Sequence, residues 1–87
     1  PKLRPLRVLD LNRNAIGDEG VLAIAASSQL GTLRRLYLND NGIGSRGVAG
    51  LSRARSLAGL EYLGLWGNLM GAAGVNARRV LAGLTDR

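Results

Sequence analysis

Internal repetition constrains this chain more than any other feature. Residues 6–32, 33–59 and 60–86 align at a period of 27, with no insertion between copies. Eight columns are identical in all three: Leu6/Leu33/Leu60, Leu9/Leu36/Leu63, Leu11/Leu38/Leu65, Asn14/Asn41/Asn68, Gly17/Gly44/Gly71, Gly20/Gly47/Gly74, Val21/Val48/Val75 and Leu30/Leu57/Leu84. A ninth column reads Ile16, Ile43, Met70. One segment with this spacing is within reach of chance; three in register are not. A unit this short cannot bury its own apolar face, so each copy must lean on the next and share its core. The pattern predicts a row of stacked neighbours rather than a globule around one centre.

Each copy changes periodicity halfway. Leu9 and Leu11 alternate with Val8, Asp10 and Asn12, the period-two pattern of a short strand with one buried face. After Ile16, residues Val21, Leu22, Ile24, Ala25 and Leu30 follow helical spacing. Gly17-Asp18 and Gly44-Ser45 place small or capping residues at the helix starts. Strands that are returned by helices run in one direction. Stacking the copies therefore predicts a parallel sheet on a concave side and helices on a convex side.

The chain must turn sharply out of each strand, which leaves backbone groups without ladder partners. An asparagine amide carries both donor and acceptor, so Asn14, Asn41 and Asn68 are expected to satisfy those groups as structural residues. Gly17, Gly44 and Gly71 are expected to permit a turn, and Gly20, Gly47 and Gly74 a close approach of helix to sheet.

The run Leu-x-x-Leu-x-Leu-x-x-Asn-x-Ile-Gly-x-x-Gly-Val resembles the leucine-rich repeats of the ribonuclease-inhibitor-like type, and residues 6–44 look like bacterial members of that group. The resemblance implies a single α/β domain over residues 1–87, a right-handed leucine-rich-repeat solenoid with a curved parallel sheet. It also implies a protein-binding scaffold whose partner differs from array to array. The family usually runs to many repeats, so three copies read as a fragment of a longer array. The third copy departs from the pattern, with Arg78 where Ile24 and Leu51 stood and Arg79 where Ala25 and Ser52 stood. Pro1–Pro5 looks like the tail of a preceding repeat. It leaves Leu6, Leu9 and Leu11 uncapped, an edge expected to stack on another chain or on a missing repeat of the parent, and a self-assembling structural repeat unit is therefore an alternative function.

Composition removes most other functions. There is no cysteine and no histidine, so disulfides, thiolate or imidazole metal ligands, a Ser-His-Asp triad and a Cys-His dyad are all excluded. Asp10 and Asp40 occupy different columns without a basic catalytic partner, and the expectation is no enzyme, no cofactor and no metal. No apolar run reaches the roughly 18 residues of a membrane span. With no signal peptide visible either, a cytoplasmic setting is expected.

The alternation also sorts side chains onto the open face of the sheet. Val8, Asp10 and Asn12 point outward from the first strand, Arg35, Tyr37 and Asn39 from the second, and Tyr62, Gly64 and Trp66 from the third. All three aromatic residues of the chain fall on this face. Tyr, Trp and Arg dominate binding hot spots. The candidate partner site is therefore Tyr37, Tyr62, Gly64, Trp66, Arg35, Asn39, Asp40 and Asp10. Gly64, lacking a side chain, is expected to floor a notch walled by the three rings. The net charge of +6 raises nucleic acid as an alternative. It is disfavoured because Arg46, Arg53, Arg55, Arg78 and Arg79 are assigned to the helices, while the open face mixes Arg7, Arg13, Arg34 and Arg35 with Asp10, Asp40 and Glu61.

Overall fold

The computed structural model describes residues 5–69 together with 80 and 82. The expectations on Met70, Gly71, Gly74, Val75, Arg78, Arg79 and Leu84, and on residues 1–4, lie outside the described residues. In chain order the elements are β1 (Val8–Asp10), α1 (Gly17–Ala26), β2 (Arg35–Tyr37), α2 (Ser45–Ser52), a 3-10 turn (Arg55–Leu57) and β3 (Tyr62–Gly64). The strands form one parallel sheet in the order β1-β2-β3. Leu9, Leu36 and Leu63 are partners across it, as are Asp10, Tyr37 and Gly64. Every pair stands one sequence period apart, so the repeat columns are the register. The ladder continues past the strand ends, with the Leu11 N–H donating to the Tyr37 carbonyl at 2.9 Å and the Leu38 N–H to that of Gly64 at 2.8 Å.

The alternating leucines form the inner layer. Leu36, Leu38, Leu63 and Leu65 are buried together with Leu33, Leu51, Leu57 and Leu60, and Val21 and Ile43 complete a wholly aliphatic core. Leu9 and Leu11, in the first unit, are only partly covered. The helix expected to reach Leu30 ends at Ala26, because Ser27 turns to extended backbone (φ −71°, ψ 132°). The equivalent Leu57 sits in the 3-10 turn. Of the described arginines assigned to helices, Arg46 lies inside one, Arg53 closes α2 and Arg55 opens the 3-10 turn.

Two features of the helices correct the sequence reading. Neither α1 nor α2 is capped by its own side chains. Instead Asp18, in the first turn of α1, reaches across to α2, and its Oδ1 accepts from the N–H of Gly44 (2.7 Å) and of Gly47 (3.0 Å). The orphan donors of one helix are thus satisfied by its neighbour, with a carboxylate at the positive end of the helix dipole. Gly47 permits close approach, but mainly to the neighbouring helix rather than the sheet. A Cβ there would fall 2.6 Å from Cγ1 of Val21 and 2.8 Å from Cγ2 of Ile43. Glu19 and Arg46 form a surface ion pair across the same helix–helix seam.

Two asparagine columns tie the units together in opposite directions. Asn41 Oδ1 accepts from the N–H groups of Asn14 (2.9 Å) and Ile16 (3.2 Å) in the preceding unit, and its Nδ2 donates to the carbonyls of Leu11 (2.9 Å) and Asn39 (3.1 Å). Asn68 repeats the pattern on Asn41, Ile43 and Leu38. The second column, Asn12 and Asn39, points forward. Asn12 Oδ1 accepts from the Asn39 N–H (2.8 Å), and Asn39 Oδ1 from the Trp66 N–H (2.6 Å). Between these columns, Arg13, Asp40 and Gly67 all have positive φ (61°, 56° and 75°). Leaving the strand therefore takes a left-handed residue in every unit, costing an L-residue about 1–2 kcal/mol.

Candidate functional site

The outward positions of the three strands define the candidate face. Period-two alternation sends the leucines inward and leaves Val8, Tyr62 and Trp66 exposed, the last at 77%. Tyr37 is half-buried because its ring leans on Tyr62, with centroids 5.1 Å apart and planes tilted by 42°. That geometry belongs to the favourable offset range for aromatic pairs. Arg35 is in register with Tyr62 and two residues from Tyr37. A hydrogen bond that the guanidinium donates to the Tyr37 hydroxyl oxygen, followed by the charges of Tyr37 and Glu61, raises its pKa, and the exposed group is cationic. Arg35 thus stands as a fixed positive group beside a two-ring platform.

Asp10, Arg13, Asp40 and Arg34 on this side are engaged locally. Asp10 Oδ1 accepts from the Asn12 N–H at 3.0 Å. Arg13 and Asp40 face each other at 3.9 Å. Arg34 turns its Nη1 back to the Leu33 carbonyl at 3.2 Å. A shallow open depression lined by Arg13, Ala15, Gly17, Asp40, Asn41 and Gly42 lies on the loops after β1 and β2, away from the ring pair.

The notch expected over Gly64 is not open. Gly64 is buried, and a Cβ on it would fall 2.9 Å from Nδ2 and 3.0 Å from Oδ1 of Asn39. The Asn39 amide fills that space because it is bound to the Trp66 N–H. Two consequences follow. Gly64 and the Asn39 Oδ1 are parts of the internal bonding of the sheet side, so the notch is already filled from within. Filling Gly64 with Val would also displace a linking amide, so that substitution does not test binding cleanly. The expected site residues therefore separate into three groups. Tyr37, Tyr62 and Arg35 are brought together. Trp66 stands two residues beyond Gly64, past the end of β3. Asp10 and Asp40 are held by Asn12 and Arg13. The sequence reading missed the linking role of Asn12 and Asn39, whose signal was an asparagine repeated in two copies and replaced by Trp66 in the third.

Among the described residues no group of three His, Cys, Asp or Glu side chains could hold a metal ion, and no helix is long and apolar enough to cross a membrane. The leucine-rich repeat family matches residues 2–25 and 31–52, just over half of the chain, and the chain belongs to that family. Leucine-rich repeat domains commonly mediate protein–protein interaction. Neither a curated protein nor a solved structure matches the chain.

Proposed function

We propose that this chain is a protein-interaction module, a right-handed curved solenoid of ribonuclease-inhibitor-like repeats whose concave sheet face holds a segment of another protein. One observation carries the reading. Tyr37 and Tyr62 stand on outward strand positions and Trp66 just past the end of β3, with Tyr62 46% and Trp66 77% exposed, while the core is aliphatic throughout the described residues. Rings held in water on a rigid sheet gain buried area when a partner covers them. The arrangement favours a segment that lays an apolar side chain on the Tyr37–Tyr62 pair and a carboxylate on Arg35. Catalysis is no part of this reading: the chain has no His or Cys, and Asp10 and Asp40 are bound to Asn12 and Arg13.

Peptides selected from a random display library on the full chain test the proposal. Tyr37→Ala or Trp66→Ala should weaken the selected peptides about tenfold or more, with the melting temperature unchanged for the exposed Trp66 and slightly lowered for Tyr37, which loses its ring pair. Arg35→Gln should weaken those that carry Asp or Glu. Peptides indifferent to all three substitutions would remove the sheet face as the site. Oligonucleotide binding that falls steeply with salt would point to the basic surface instead.

A further inference from the structure

The sequence contains one Asn-Gly dipeptide, Asn41-Gly42. In an unstructured chain this pair is the most prone to spontaneous deamidation, because glycine leaves its backbone nitrogen unobstructed. The Gly42 nitrogen attacks Cγ of Asn41, the side-chain amide leaves as ammonia with the Gly42 N–H proton, and a succinimide ring closes. Water then opens the ring to aspartate or isoaspartate. The reaction requires the Asn41 amide to swing towards Gly42 and its nitrogen to be released.

The fold holds that amide still. Asn41 is 1% exposed, and its side chain makes four hydrogen bonds. Three of the four, those to the Asn14 N–H, the Ile16 N–H and the Leu11 carbonyl, come from the first unit. The restraint is therefore the docking of the first unit on the second. The product is incompatible with that docking. A carboxylate has no donor for the carbonyls of Leu11 and Asn39, which lie 2.9 and 3.1 Å from the present Nδ2. It would also place an unpaired charge in a buried site.

We propose that Asn41-Gly42 is a one-way modification site gated by the docking of the first unit: protected while docked, deamidating once the unit lifts, and blocking its return thereafter. The column supplies internal controls. Asn14 and Asn68 occupy equivalent positions but precede Ala15 and Leu69, whose side chains hinder the attack. Gly42 has φ +68° with nothing within 4 Å of a Cβ, and Ala15 holds φ 50° in the same column. Gly42→Ala thus meets no clash, carries the left-handed strain of an L-residue at that φ, and should slow the chemistry in the unfolded chain, where that strain is absent.

The full chain would be incubated at mildly alkaline pH, with and without denaturing urea, and mapped by peptide mass spectrometry with isoaspartate detection. The expected result is deamidation at Asn41 at least about tenfold faster in urea than in buffer, with Asn14 and Asn68 spared. Gly42→Ala should suppress it in urea. After return to buffer, the deamidated fraction should show rapid hydrogen exchange at the Asn14 and Ile16 amides while the Leu38 amide, bonded to β3, stays protected. Equal rates in urea and buffer would overturn the gating. Restored protection of Asn14 and Ile16 in the deamidated chain, or loss of protection at Leu38 as well, would overturn the block on redocking.

Discussion

The first and second units have nearly the same inward-facing sequence and different physical circumstances. Leu36 and Leu38 are fully buried, whereas Leu9 and Leu11 in the same columns are only partly covered. Asn41 is buried and serves the preceding unit, whereas Asn14 is exposed and its Nδ2 turns to the Leu11 and Asn12 carbonyls of its own loop. Identical residues at identical places thus contribute differently, according to whether a described unit lies on both sides. Stability in this molecule belongs to the seams between units more than to the units themselves.

Three measurements by urea denaturation would break or sharpen that contrast. Leu36→Ala should cost about 3–4 kcal/mol and Leu9→Ala about half as much, since only the first leaves an enclosed cavity. Equal costs would mean the first unit is as tightly held as the second. Asn41→Ala should cost about 2–3 kcal/mol by stranding groups in two units, and Asn14→Ala under about 1 kcal/mol. Matching values for the two asparagines would break the comparison outright. Asp18→Ala should cost about 1 kcal/mol, the usual value of a lost cap. Hydrogen exchange should place that loss at Gly44 and Gly47 of the second unit rather than beside the mutated residue in α1.

Much of the molecule was legible in its residues because the repeat period is also the strand register. The columns Leu9/Leu36/Leu63 and Leu11/Leu38/Leu65 name the inward face, and the residues between them name the outward one. The aromatic pair follows from that alternation, with Arg35 and Tyr62 adjacent once the strands are aligned. What stayed hidden are contacts in which one unit completes another. Asp18 reads as a cap for its own helix, yet its carboxylate accepts from the N–H groups of Gly44 and Gly47 at the start of the next helix. Gly64 reads as a gap, yet the Asn39 side chain, from the turn after β2, fills it. The Leu30 column reads as helical, yet Ser27 turns to extended backbone first and ends α1 at Ala26. Each depends on a distance between units, and spacing within one unit carries no information about it.

Trp66 takes the column in which Asn12 and Asn39 each hand an amide to the following strand. Its backbone receives such a link, but an indole has no acceptor to pass one on. One position is therefore claimed by two demands, cohesion along the row and display on the face. Variation there exchanges one for the other. Under the proposed function, a position on this face is free to contact a partner to the extent that its side chain no longer has a neighbouring backbone to hold.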